Sequence, residues 1–550
     1  MSARIYHWLL LTIYLASVFL LALQPLRAAI SPDYGGILPY RGIDESLYLN
    51  RLQEGLIDPS ADTTGGLWTS PSSPSGIQAS GMERFAGWMF GWTGMRAPEV
   101  ALLLTIFLAP LGFVLSTAMA RSLGLSRTSS LMAGLLFFFF TGFLRRYFNP
   151  SWSMPLMMMA LWLLFDWWRS PRWWNACLAG FILGLLPDVY FWAWTYGWVF
   201  FGVLMLSIFV QRKSPLFRKR WKTALFGIVV MLMTASPFLW HIFQMQQRPL
   251  FPEVAVRMGL IMSRHIESFP RSIVLLALAA GVAWSLRSQD ERERFMPLTT
   301  LTLTSFIVQH QQLLHGRVLS FSSHYYMYHC LVAALVLVTI FSMRKWGSSH
   351  FIAMGASLLL LGGGFVDYHG RHTLLAAPSA SSRRFESLGP VISLLESDPR
   401  ETVLTDHETA NIVASNTNDD VIYTDYARIL LISTQELAER FCLTEAFSRK
   451  SPQELATYFA DFQKEHSRAG AEQTEALFKK HRSLILERCP YVRSHVPEML
   501  TKYGVTTLLW NTSEAPGWII PDELFKVRGQ GEGWVLYDRV DSGKLKVEKE

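Results

Sequence analysis

Two kinds of group recur at the ends of the apolar runs in this sequence: carboxylates, and clusters of Arg and His. The segment Arg41–Gly55 holds Asp44 and Glu45 just ahead of Tyr48, Leu52 and Leu56. The i, i+4, i+8 recurrence of those apolar residues predicts a short amphipathic helix lying on a membrane surface, with Asp44 at its N-cap or first turn. Polar and basic segments follow: Arg145–Ser151, with Arg146; Gln244–Pro270, with Arg257, Arg264 and His265; and Gln309–Tyr326, with Arg317 and His324. A carboxylate at a membrane surface can accept a proton from an acceptor hydroxyl. Guanidinium forks match phosphate in a bidentate way, and cations stabilise a phosphate as it leaves. Together these groups are suited to moving a group from a lipid-phosphate donor to an acceptor. One base with an anion-stabilised leaving group implies displacement with inversion, whereas glycosidases use a carboxylate pair. The plainer alternatives are that Asp44 only caps a helix and that the basic residues snorkel toward headgroups.

The elements that must hold these groups are membrane helices. Of the 550 residues, 50% are hydrophobic and 17% charged, against about 25% charged in soluble domains. Long apolar runs alternate with short polar loops up to about residue 368, and a soluble composition follows. Runs at 5–26, 97–120, 129–144, 153–168, 173–188, 190–211, 223–243, 270–286, 295–313, 326–343 and 350–367 approach the about 20 residues that a bilayer core requires. The reading is a polytopic α-helical bundle of about eleven spans with a C-terminal extracytoplasmic α/β domain. Pro187 and Asp188 divide the 173–211 region into two spans joined by a tight outer turn. Loops 121–128, 169–172, 212–222, 287–294 and 344–349 all carry Lys or Arg, which places them and the N-terminus in the cytoplasm. An odd number of spans then puts residues 369–550 outside, together with a first outer loop, 27–96, that is far longer than its neighbours. The net charge of +7 lies largely in orienting loops and is no sign of nucleic-acid binding. The first apolar run reads as a retained anchor, although Arg27-Ala28-Ala29 is a tolerable cleavage site.

Five segments carry a further signal: Asp44 to Glu54, Arg146 to Ser153, Gly184 to Tyr196, Arg257 to Arg264, and Gln311 to Arg317 with His324-Tyr325. In their strings, order and loop placement they resemble the GT-C superfamily of membrane glycosyltransferases, and more closely its bacterial GT-C-like multi-span proteins. The resemblance covers most of the membrane region, residues 1–368, and more loosely the soluble part. It implies a glycosyltransferase (hexosyl or pentosyl transfer) of the bacterial inner membrane, with a polyprenyl-phosphate sugar as donor and an extracytoplasmic glycan, lipid or protein as acceptor. It also implies Asp44 as catalytic base or acceptor-positioning group, Glu45 as its partner, and Arg257, Arg264 and His324 as donor-phosphate contacts. His265, Arg317 and Arg146 join them as basic groups on the same face. The second acidic motif of metal-using relatives is not evident, Asp188 being the nearby candidate, so no metal is assigned. The Trp-Trp-Asp-Tyr-Gly motif of oligosaccharyltransferases is absent, which disfavours en bloc N-glycosylation. Two other readings are a lipid-linked glycan transporter and a non-catalytic assembly or sensor protein on the same scaffold. Transporters place ionisable groups near the midplane and show internal repeats; here these groups gather at the outer ends.

In the soluble part, strands are expected at Thr402–Thr405, Val421–Thr424, Thr506–Trp510 and Trp534–Tyr537, and helices at 386–397, 407–414, 451–467, 471–487 and 495–503. No phosphate-binding glycine loop or nucleophile elbow is present. Outside the cytoplasm, Cys442 and Cys489 could form a disulfide; two free, half-buried thiols are the alternative. Asn511-Thr512-Ser513 fits the N-glycosylation pattern, which is common by chance.

Overall fold

The computed structural model describes residues 1–30, 34–38, 43–60, 64–69, 80–141, 152–257, 261–262, 269–285, 288–318, 322–343, 385–466 and 471–540. The N-terminal part is helical: α1 (Ala3–Ala29), α2 (Ile43–Ile57), α3 (Gly81–Phe90), α4 (Ala97–Leu108), α5 (Leu111–Ser122), α6 (Arg127–Thr141), α7 (Ser153–Arg169) and α8 (Trp173–Leu185). It continues with α9 (Phe191–Val210), α10 (Phe217–Gln246), α11 (Phe251–Arg257), α12 (Phe269–Ser285), α13 (Gln289–Gln309), α14 (Gln311–His315) and α15 (Tyr326–Met343). Every expected span falls on a helix except 350–367, which lies outside the described residues. Among the described residues, five stretches are long and apolar enough to cross a membrane: Ala3–Arg27, Ala97–Ser122, Phe191–Val210, Phe217–Gln246 and Tyr326–Met343. A short 3₁₀ turn, Leu186–Asp188, separates α8 from α9, so the 173–211 run is two helices rather than one.

Helices α16 (Gly389–Ser397), α17 (His407–Asn416), α18 (Thr434–Thr444), α19 (Pro452–His466), α20 (Ala471–Ser494) and α21 (Val496–Lys502) belong to the C-terminal domain. Two short strands in the N-terminal part, β1 (Ile261–Met262) and β2 (Arg317–Val318), pair with each other; β3 (Thr402–Leu404), β4 (Asp420–Val421), β5 (Thr507–Asn511), β6 (Phe525–Gly531) and β7 (Trp534–Arg539) form one sheet in the order β4-β3-β5-β7-β6. The β3 strand is parallel to β4 and β5, whereas β7 is antiparallel to β5 and β6. Asp406 caps α17 by accepting from the Glu408 and Thr409 N–H groups, and Ser433 caps α18. Cys442 and Cys489 are bonded, tying α18 to α20. Asn511 lies on β5, 2% exposed, with its side-chain amide donating to Thr409 Oγ1. Its glycosylation pattern is therefore structural.

The first loop does not stay apart from this domain. Ile37 and Leu67 lie in the same hydrophobic core as β3, β5 and β7. Leu67 bridges Val421 in parallel, extending the sheet by one residue beyond β4. Arg440, fully buried, donates to the Trp68 and Ile422 carbonyls and pairs with Glu436. Helix α2 also departs from expectation. Tyr48, Leu52 and Leu56 are buried, as an apolar face requires, but they pack into the helical bundle rather than lying on a membrane surface. Ser46, Asn50, Arg51 and Gln53 are buried as well, because α3, α4 and α17 cover the remaining faces. The exposed apolar face belongs to α3 and the turn after it, where Phe85, Trp88, Met89 and Trp92 protrude.

Candidate active site

Asp44 and Glu45 occupy the first turn of α2, where the helix dipole favours carboxylates. Their side chains lie outside the described residues. What fixes the helix is described. A Cβ on Gly87 of α3 would run into the Gly55 carbonyl of α2, so the two backbones meet with nothing between them. Beside this crossing Arg51 pairs with Glu83 at 2.8 Å, the two side chains 2% and 1% exposed. Burial pushes the Glu83 carboxyl up, and Arg51 opposes that shift. Asn50 hydrogen-bonds Asn411 of α17, and Gln53 accepts from the Ala97 N–H at the start of α4. Glu54 accepts from the N–H groups of Thr64 and Gly65 at 2.7 and 2.8 Å, folding the following loop back toward the sheet edge.

Two of the basic segments, Gln244–Pro270 and Gln309–Tyr326, meet through a short strand pair. Strand pairing sets Ile261 opposite Val318 and Met262 opposite Arg317, so the Arg257–Arg264 and Gln311–Arg317 segments are neighbours. The side chain of Arg317 lies outside the described residues, as do Arg146, Arg264 and His265 entirely. Arg257, on α11, is 6% exposed. Its Nη2 donates to the carbonyls of Leu430 and Ile432 at 2.9 and 2.6 Å, while Nε and Nη1 meet no hydrogen-bond partner among the described residues. Burial pushes this guanidinium down to about 10, still cationic at neutral pH. One turn earlier, Glu253 accepts from the Thr434 N–H at 2.6 Å, so α11 grips the C-terminal domain by two points.

His324 joins the third segment. Its Nδ1 shares a hydrogen bond with the Tyr190 hydroxyl, and its ring stacks on Trp192 with centroids 4.4 Å apart. Behind it, Thr195 Oγ1 and Tyr325 OH lie 2.7 Å apart, and Gln311 Nε2 donates to Tyr325 at 3.2 Å. The Tyr/Trp-rich turn, the Gln311 segment and the His324-Tyr325 pair are thus one cluster. Asp188 connects this cluster to α2 and α3. It stands two residues before Tyr190, and its carboxylate accepts from the Gly81 N–H at the start of α3. Among the described residues no three His, Cys, Asp or Glu side chains gather as a metal-ligand set.

Sequence reasoning missed Arg51, Glu83 and Arg440. Arg51 and Glu83 find each other across distant segments, and Arg440, paired locally with Glu436, reaches the distant Trp68 carbonyl. The available signals were Arg51 flanked by Leu49 and Leu52, and Glu83 in an otherwise Trp- and Phe-rich stretch.

No family model matches the sequence, and no curated protein is similar to it in sequence. Solved structures are similar in fold. ArnT from Cupriavidus metallidurans, bound to undecaprenyl phosphate, is 14% identical over 98% of this chain and 99% of its own, with a TM-score of 0.50. The arabinofuranosyltransferase AftD from mycobacteria gives 14% identity and a TM-score of 0.50 over 98% of this chain and 42% of its own. An oligosaccharyltransferase from Archaeoglobus fulgidus aligns at 12% identity over 92% of this chain and 70% of its own, with a TM-score of 0.47. The chain therefore has the fold of the GT-C membrane glycosyltransferases.

Proposed function

We propose that the protein is an inverting glycosyltransferase of the bacterial inner membrane. It takes a hexosyl or pentosyl group from a polyprenyl-phosphate donor and passes it to an extracytoplasmic glycan, lipid or protein. In this reading the N-terminus is cytoplasmic and the C-terminal domain extracytoplasmic. The single observation that carries it is the convergence of the Tyr190–His324 cluster, the β1–β2 pair and the Asp188 link to α2, in a fold shared with an enzyme solved with undecaprenyl phosphate.

The chemistry follows from the groups. An acceptor hydroxyl attacks the anomeric carbon from the face opposite the phosphate, and Asp44 takes its proton. The bond from the anomeric carbon to the phosphate oxygen breaks, and its electron pair leaves with the lipid phosphate. Arg257, with Nε and Nη1 unpartnered among the described residues, meets the charge that develops there, aided by His324, Arg264, His265, Arg317 and Arg146. Glu45 supports Asp44. Membrane lipids surround the donor, and no step is routed through a metal.

The test is transfer from labelled polyprenyl-phosphate sugars by the purified protein in nanodiscs. Loss of a general base costs about 10²- to 10⁴-fold in rate. Asp44→Asn is expected to lose at least about 100-fold while still binding undecaprenyl phosphate by native mass spectrometry. Arg257→Ala is expected to weaken that binding. Full activity in Asp44→Asn sinks the assignment.

A further inference from the structure

Helix α3 begins without a cap of its own. Ser80, a residue type that commonly caps helices, occupies the N-cap position yet makes no side-chain cap bond. The acceptor comes instead from a distant turn, where the Asp188 carboxylate takes the Gly81 N–H. The fit is close, because a Cβ on Gly81 would run into that carboxylate. Arg84, Arg51, His241 and the like-charged Glu83 are the titratable groups that face Asp188. The capped helix is the one whose Glu83 pairs with Arg51 and whose Gly87 rests on Gly55, so its position sets that of α2. On its other side Asp188 is two residues from Tyr190, which hydrogen-bonds His324.

We propose that Asp188 is a positioning residue that caps α3 and thereby holds the Asp44 helix in register with the Tyr190–His324 cluster. This rests on the reading of Asp44 as the base. Asp188 is the candidate for a second catalytic acid by its place in the sequence, and the two roles demand different things of the side chain. A cap reaching across from a distant turn needs an oxygen acceptor of the same length, which Asn supplies as well as Asp. A metal ligand or proton acceptor needs the carboxylate itself.

The experiment compares Asp188→Asn, Asp188→Ala and Gly81→Ala in nanodiscs, with two readouts. In the transfer assay, Asp188→Asn is expected to keep kcat within about threefold of the parent protein, with an unchanged response to EDTA, because it retains a cap acceptor of the same length. Asp188→Ala is expected to lower kcat about tenfold with little change in donor KM, the signature of a misplaced base. The second readout needs no activity: limited proteolysis of the loop between α2 and α3. Loss of a cap favours opening about fivefold. Cleavage is therefore expected to speed up about fivefold in Asp188→Ala and Gly81→Ala, and to stay unchanged in the Asn variant. An Asn variant as inactive as the Ala variant overturns the proposal, and so does an Ala variant with parental protease resistance. If the parent protein transfers no sugar from any polyprenyl-phosphate donor, the glycosyltransferase reading fails by itself, and proteolysis alone decides the cap.

Discussion

The Trp68 N–H, in the long first loop, donates to the Val421 carbonyl on the edge strand of the C-terminal sheet at 2.9 Å. The return bond runs from the Val421 N–H to the Gly66 carbonyl at 2.8 Å. Main-chain pairing of this kind is how an extended segment adds to an exposed sheet edge, and here the segment belongs to the same chain. The boundary read at residue 368 is a boundary of composition, while the hydrophobic core of the C-terminal domain includes Ile37 and Leu67 from the first loop.

Arg440 closes that junction and gives the first prediction. It is fully buried, donates to Trp68 and Ile422 carbonyls, and pairs with Glu436, which is 30% exposed. Removing one partner of a fully buried pair costs about 3–5 kcal/mol. The half-exposed partner reduces this, so Arg440→Met should cost about 2–3 kcal/mol. Thermal unfolding of the whole protein, with proteolysis near Trp68, measures it. An unchanged midpoint and an uncut loop would show that Arg440 does not fasten the loop.

Much of the fold is legible in the sequence, and the exceptions share a cause. Three of the expected strands and the α8–α9 break arise from local pattern: short apolar runs, and Pro187 inside a run too long for one span; the fourth, expected at Val421–Thr424, forms instead at Asp420–Val421. Strand β6 lacks such a pattern because it is an edge strand, and along it only Phe525 is buried. Helix α18 was missed because Glu439 and Arg440 read as a solvated face, whereas both are buried in ion pairs. Helix α2 misled in the same way, since its polar side is covered by α17 and α3. Asp44 could be singled out by residue type and place. Its support by Arg51, Glu83 and Asp188 exists only after distant segments meet.

The disulfide gives a second prediction. Cys442 and Cys489 are 47 residues apart in sequence and join α18 to α20. In the chain-entropy account, closing a loop of that size restricts the unfolded state by about 4 kcal/mol, and measured effects are about 2–4. Cys442→Ser with Cys489→Ser should lower stability by that range. The parent protein should lose the same amount in reductant. A reductant-insensitive unfolding midpoint would mean that the bond contributes nothing.

His481 makes the third. It is 1% exposed, and burial first, then the charges of Arg257 and Lys480, push its pKa from 6.5 down to about 4. The folded protein therefore binds fewer protons at this site than the unfolded chain between about pH 4 and 6.5, and stability from it is lost as pH falls through that window. Asp419 acts oppositely: burial pushes its carboxyl from 3.8 up to about 6, so its contribution grows as pH falls from 6 toward 4. The two nearly cancel in the parent protein. In His481→Gln the His481 effect is gone while the carboxyl effects remain. The variant should gain on the parent by about 1.4 kcal/mol per pH unit lowered, about 3 kcal/mol across the window. Chemical denaturation at several pH values gives the comparison, and parallel profiles would refute it.

The Arg51–Glu83 pair yields the last prediction, because its cost separates a charge effect from a packing effect. Both side chains are almost wholly buried beside the crossing of α2 and α3. Arg51→Met leaves the Glu83 carboxylate without its cation in an apolar setting, which costs about 3–5 kcal/mol. Burial already pushes that carboxyl up, so the variant should take up a proton and become less unstable as pH falls, the sign expected for an acid whose folded pKa rises. Adding Glu83→Leu removes the stranded charge and should restore most of the lost stability, since replacing both partners of a buried pair by apolar groups is often neutral. Thermal unfolding of the two single variants and the double variant completes the cycle. If the losses simply add, the pair is not coupled, and backbone contacts such as Gly55–Gly87 and Leu56–Gly91 must hold the Asp44 helix against α3.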